Sequence, residues 1–75
     1  MIKSYKIESF IDVQTLHDLA TNSVAHVTVF DTNGSNANAK SILGLMSLSY
    51  VEPVAIECEN ATFFTHIPFV EQEGK

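Results

Sequence analysis

Apolar and polar residues alternate over 2–8, 24–30 and 54–58, which is the pattern of β-strands with one buried face. Pro53 stands at the start of the third stretch, where its missing amide does the least harm. These three stretches therefore predict strands of a sheet with one covered face. The residues expected on that face are Tyr5, Ile7, Val27, Val29, Val54, Ile56 and Cys58.

A helical pattern follows the first stretch. Ser9-Phe10-Ile11-Asp12 matches a capping box, in which the Ser9 hydroxyl accepts from the Asp12 amide and the Asp12 carboxylate accepts from the Ser9 amide. Apolar residues then recur every three or four positions, as on the buried stripe of a helix that ends at Asn22-Ser23. That stripe comprises Phe10, Val13, Leu16, Leu19 and Ala20.

Residues 31–35 contain Asn33-Gly34, which is typical of a tight turn, and a short polar return strand is expected over 36–39. Ser41 then begins a second, short helix. Its apolar residues outnumber what one face of two turns can bury, so some of them, Leu43 and Met46 included, are expected at the surface. They are Ile42, Leu43, Leu45, Met46 and Leu48.

The segment after Asn60 is ambiguous. Phe63, Ile67 and Val70 have helical spacing, but Pro68 disfavours a helix at the preceding residue. We expect an incomplete or kinked last helix, followed by a fraying polar tail over 71–75.

Composition narrows the class of protein. Seventy-five residues make one domain, 1–75, and a formal net charge of −5 with scattered lysines argues against nucleic acid as a partner.

One cysteine, Cys58, cannot form an intramolecular disulfide, and the first residues lack the apolar run of a signal peptide. No apolar run approaches the roughly 20 residues that span a bilayer. The expected location is the cytoplasm.

Asn38-Ala39-Lys40-Ser41-Ile42-Leu43-Gly44-Leu45-Met46-Ser47-Leu48 resembles the regulatory-serine segment of HPr, the phosphocarrier family of the bacterial sugar phosphotransferase system. Weaker similarity lies in Tyr5-Lys6-Ile7 and Val13-Gln14-Thr15. The resemblance implies an α+β fold, an open-faced β-sandwich whose four-stranded antiparallel sheet has helices on one face. The last helix is shorter here than in that family.

The resemblance also implies that Ser41 is phosphorylated by HPr kinase. A phosphate at a helix N-terminus meets unpaired amides and the positive end of the helix dipole. The simpler alternative is that Ser41 only caps the helix. The family's phosphorylated histidine lies in a Gly-Ile/Leu-His-Ala-Arg-Pro-Ala loop, and no such string occurs in this chain.

The sequence thus predicts a regulatory, protein-binding domain of the phosphotransferase system or of carbon catabolite control, without enzymatic activity. Its expected contact residues are Ile42, Leu43, Met46 and Leu48. Candidate partners are HPr kinase, a transcriptional regulator, phosphotransferase components or a second copy in a homodimer.

Two alternatives remain. One is a divergent phosphocarrier that uses His17, in Leu16-His17-Asp18-Leu19-Ala20-Thr21, and the other is a scaffold that is never phosphorylated. His26 and His66 are too isolated in sequence to suggest a metal site, and we expect neither a metal nor another cofactor.

Overall fold

A computed structural model describes residues 1–72. The elements in chain order are β1 (Ile2–Tyr5), α1 (Phe10–Thr21), β2 (Val27–Phe30), β3 (Asn36–Asn38), α2 (Ile42–Met46), β4 (Val54–Cys58), α3 (Ala61–Thr65) and β5 (Glu71–Gln72). The chain thus folds as a small α+β domain with an open antiparallel sheet and three helices.

The sheet has the strand order β3-β2-β4-β1-β5, and every pairing is antiparallel. The expected number of four strands is therefore wrong, because a fifth strand adds to the outer edge of β1. Ser4 lies opposite Gln72, and the Lys6 amide donates to the Val70 carbonyl at 3.0 Å. The prediction of a fraying tail is wrong for Glu71 and Gln72, whereas residues 73–75 lie outside the described part of the chain.

All three helices cover the same face of the sheet. Their buried side chains form one core with the inward residues of the strands, and every residue assigned to the buried strand face from sequence lies in that core. Cys58 is a free thiol with 1% of its surface exposed, as its place in the alternation predicts. The predicted strands 2–8 and 24–30 are shorter in the structure, and Val24 is 99% exposed.

Helix α1 begins at the predicted cap. The Ser9 hydroxyl accepts from the Asp12 amide at 3.4 Å. The expected reciprocal bond, from the Ser9 amide to the Asp12 carboxylate, is wrong. That carboxylate accepts from the preceding amide, of Glu8, at 2.9 Å. Residues 6–9 connect β1 to this helix, because β1 ends at Tyr5.

The turn between β2 and β3 has the predicted left-handed glycine, Gly34, with φ of +87°. The Asp31 amide donates to the Ser35 carbonyl at 2.9 Å and closes this turn. The last helix is the predicted incomplete one, since α3 ends before Pro68. It contributes Phe63 and Phe64 to the core, and the Phe64 ring stacks on Tyr5 with 6.4 Å between centroids.

Within residues 1–72, no helix is long and apolar enough to cross a membrane.

Candidate functional site

Helix α2 is anchored by one side chain and presents others to solvent. Leu45 is fully buried, whereas Leu43 is 77% and Met46 53% exposed. Leu45 takes the inward position of this five-residue helix, and Leu43 and Met46 lie at positions that face solvent. The predicted apolar surface on this helix is confirmed for these two residues.

The other two expected contact residues are placed differently. Ile42 is partly buried and packs against the core, and Leu48 is a core residue with 7% exposure. Leu48 follows the end of α2, where the chain turns back toward the sheet. We therefore correct the predicted contact surface by leaving out Leu48.

The first turn of α2 lies close to the neighbouring strand β3. A Cβ built on Gly44 would lie 3.2 Å from the Ala37 Cβ and 3.2 Å from the Ser41 Oγ. The Gly44 amide also donates to that Oγ at 3.1 Å, which makes Ser41 the N-cap of α2. Glycine at this position thus permits both the close approach to β3 and the cap.

Two polar contacts fix the other end of α2. The Tyr50 hydroxyl donates to the Leu45 carbonyl, in the last turn of the helix. The Asp31 carboxylate accepts from the Ser49 amide at 2.9 Å, and so joins the β2–β3 turn to the segment after α2. These contacts hold Tyr50 beside the helix.

An apolar groove of about 470 Å³ lies between the start of α1 and the end of α2. We call it the α1–α2 groove. Its apolar lining comes from the connection between β1 and α1, from both helices and from the segment after α2, and the exposed residues Glu8 and Ser9 also line it. The apolar lining residues are Ile7, Phe10, Val13, Met46, Tyr50 and Val51.

Electrostatics around Tyr50 are set by its surroundings. Burial, and then the negative charge of Asp31, raise the pKa of Tyr50 to about 12. The pKa of Asp31 is lowered, first by the hydrogen bond from the Ser49 amide and then by those from the Ser35 and Asn33 amides, against the opposing effect of its partial desolvation. Tyr50 is therefore a neutral hydrogen-bond donor and Asp31 a carboxylate at neutral pH.

Ser41 and the groove lie at opposite ends of α2. Ser41 is exposed, and the five residues that separate it from Met46 correspond to about 7.5 Å along a helix axis. This separation is comparable to the Debye length of about 8 Å at physiological salt. A charge added at Ser41 would thus act on the groove electrostatically over this distance. Leu43, two residues along the chain, would lie next to the charge.

His17 lies in the middle of α1 rather than at a helix start. Its Nδ1 lies 3.0 Å from the Ala39 carbonyl oxygen, which can only accept, so Nδ1 carries the proton and donates. The side chain is partly buried, and the chain contains no arginine to hold a phosphoryl group beside it. His17 thus connects α1 to the segment immediately before Ser41.

His26 and His66 are exposed, and His26 precedes β2 whereas His66 follows α3. Among residues 1–72, the structure has no group of three or more His, Cys, Asp or Glu side chains arranged to hold a metal ion.

Met46 is the one groove residue that the sequence pattern assigned to the contact surface. Phe10 was expected on the buried stripe of α1 but is 50% exposed, because it is the first helical residue and borders the groove. Tyr50 and Val51 belong to no predicted element. Their only signal was that two apolar residues follow Leu48 in the connection between α2 and β4.

Comparison of the chain with protein-family models, with curated proteins and with solved structures finds no match.

Proposed function

We propose that this chain is an HPr-like regulatory domain of the phosphotransferase system or of carbon catabolite control. In this proposal it acts in the cytoplasm, without phosphocarrier or other enzymatic activity, by binding partner proteins through α2 and the α1–α2 groove. The observation that carries the proposal is the exposed apolar surface of Leu43 and Met46 beside that groove. Contiguous exposed apolar surface on a small domain is typical of a protein-binding site.

The arrangement of elements supports the HPr-like part of the proposal. The order β-α-β-β-α-β-α up to α3 is the one that the resemblance implies, and the segment with the residue-level similarity runs from the last residue of β3 through the capped helix α2. The connection from β1 to α1, residues 6–9, contains neither the histidine nor the arginine of the family's histidine loop. The additional strand β5 departs from the expected four-stranded sheet.

Ser41 is the proposed site of regulatory phosphorylation. Its hydroxyl is exposed at the start of α2, where a phosphate would take the place of the present cap beside the Gly44 amide. The modification would add a charge of about −1.5 to −2 at neutral pH. Partners that present arginines there would be favoured, and partners that present an apolar surface would be disfavoured.

The alternative of a phosphocarrier through His17 has weaker support. The proton on Nδ1 is used in the bond to Ala39, and no arginine is present to stabilise a phosphoryl group. Incubation with Enzyme I and phosphoenolpyruvate distinguishes the two proposals, because a phosphocarrier would gain acid-labile phosphate and the proposed regulatory domain would gain none.

The direct test of the proposal has two arms. In the first, the protein is treated with HPr kinase and ATP, and the modified residue is mapped by mass spectrometry, with Ser41→Ala as the control. In the second, binding to HPr kinase and to the catabolite-control transcriptional regulator is measured for the wild type, for Met46→Asp and for Ser41→Asp. Aspartate caps a helix about as well as serine, so Ser41→Asp changes charge while keeping the fold.

Ile11→Asp is the matched control for Met46→Asp. Ile11 is 69% exposed on α1 and does not line the groove. Both substitutions are expected to change the unfolding free energy by about 1 kcal/mol or less, because both sites are exposed. Weaker binding in Met46→Asp alone supports the proposal. Equal binding by all variants, together with an unmodified Ser41, would leave Ser41 as a helix cap and the domain as a scaffold.

A further inference from the structure

Carboxylates lie in and beside the α1–α2 groove. Glu8 lines it, and the Asp12 carboxylate accepts from the Glu8 amide one turn into α1. Glu52 is exposed and follows the lining residue Val51 directly. Asp31 lies beside Tyr50, close enough to oppose ionisation of its hydroxyl. Glu8 is thus an acidic residue of the groove itself, and Asp12, Glu52 and Asp31 adjoin residues that line it.

Basic side chains are placed elsewhere in the part of the chain that the structure describes. None lines the groove. Lys3 lies 3.9 Å from Glu71 and over the Phe64 ring, and Lys40 precedes Ser41 at the far end of α2. Lys6 lines a separate cavity together with Glu8 and Asp12 and offsets part of their charge. The formal net charge of −5 extends the negative field beyond the groove.

The lining of the groove also restricts the shape of its occupant. The start of α1, the end of α2 and the segments before α1 and after α2 line it, and the preceding strand β1 already has partners in β4 and β5. A peptide that extends a sheet needs a free strand edge, whereas an amphipathic helix needs only an apolar channel. The geometry favours a helix that inserts apolar side chains at i, i+3, i+4 and i+7.

We propose that the α1–α2 groove binds a cationic amphipathic helix of a partner protein, with the apolar face of that helix on Phe10, Met46 and Val51 and its Lys or Arg side chains beside Glu8 and Glu52. This inference rests on the proposed function, since it names the chemistry of the partner at the same surface. The same carboxylates disfavour nucleic acid and anionic membranes as occupants.

Synthetic peptides test the inference directly. Three fluorescent peptides share one apolar stripe and carry only Lys, only Glu or only Gln on their polar positions, and a fourth is the Lys peptide with a central Pro that prevents a helix. Binding is measured by fluorescence anisotropy. The Lys peptide is expected to bind about tenfold more tightly than the Gln peptide at low salt. This preference should decrease as the Debye length falls from about 10 Å at 0.1 M to about 3 Å at 1 M salt.

Charge-neutralising variants locate the site. Glu8→Gln with Glu52→Gln is expected to remove most of the tenfold preference for the Lys peptide over the Gln peptide. The matched control is Glu57→Gln with Glu59→Gln, which removes the same charge beside a different cavity that also involves His26 and Thr28. That control should retain the preference.

Each alternative outcome is informative. Equal binding of the Lys and Glu peptides, or equal loss in the two double variants, overturns the cationic partner while leaving docking at the groove intact. Equal binding of the Lys peptide and its Pro derivative overturns the helical occupant. Failure of all four peptides to bind overturns this inference, and the proposed function is then decided independently by the Met46→Asp and Ile11→Asp comparison.

Discussion

Helices α1 and α2 pack against each other but are held in different ways. Helix α1 has twelve residues and three buried side chains, Val13, Leu16 and Ala20. Helix α2 has five residues and buries Leu45 alone, so contacts at its two ends supply the stability that so short a helix lacks. Isolated helices this short are not stable in water. The comparison teaches that a short helix can expose apolar side chains to a partner only if something else fixes its position.

The largest expected effect removes the single anchor of α2. Leu45→Ala should lower the unfolding free energy by about 2–5 kcal/mol, the usual cost of truncating a fully buried leucine. Leu43→Ala is the matched control and should change stability by about 0.5 kcal/mol or less, since Leu43 is 77% exposed. Urea unfolding followed by circular dichroism measures both values. Similar costs for the two variants would contradict the division of α2 into one anchor and an exposed surface.

A smaller effect tests the contact at the end of α2. Tyr50→Phe keeps the ring and removes the hydrogen bond to the Leu45 carbonyl, at an expected cost of about 0.5–1.5 kcal/mol. Because the folded pKa of Tyr50 is raised to about 12, its stabilising contribution is complete below the ordinary tyrosine pKa and is lost as the pH rises from about 10 through 12.

The wild type should therefore lose more stability than Tyr50→Phe over this alkaline range. Tyr5, whose pKa is also raised, is present in both proteins and serves as an internal reference. Parallel stability curves for the two proteins would show that the Tyr50 hydroxyl does not hold α2.

The smallest expected effect concerns the hydrogen bond that the Ser49 amide donates to the Asp31 carboxylate. Asp31 has a lowered folded pKa, so its contribution is present above its unfolded pKa of about 4 and is lost as the pH falls through the lower folded value. Asp31→Asn should be slightly less stable than the wild type at pH 7 and should lose less stability on acidification. The exposed carboxylate is screened by salt, which keeps the effect small.

Asp18→Asn, which removes an exposed carboxylate of α1, is the charge-matched control for this comparison. Thermal unfolding between neutral pH and about pH 2 measures both variants. An Asp31→Asn protein with the acid sensitivity of the wild type would remove Asp31 from the contacts that hold the end of α2.

The sequence by itself determined the features that depend on neighbouring residues. Ser9 and Ser41 cap their helices, Gly34 takes the left-handed turn, and the alternation in the strands assigns their buried side chains correctly. Pro68 ends the last helical segment early. Each of these follows from backbone geometry within about one turn of helix or one strand, which is why a pattern in the sequence is sufficient.

Only the tertiary structure decided the features that depend on distant residues. Phe10 is exposed and Leu48 buried because of where α1 and the chain after α2 lie over the sheet, and β5 forms because residues 71–72 meet the free edge of β1. The groove joins residues 7–13 with residues 46–51, two segments that periodicity treats as independent. Burial and pairing between such segments depend on how the whole chain packs, and a local sequence pattern does not predict that packing.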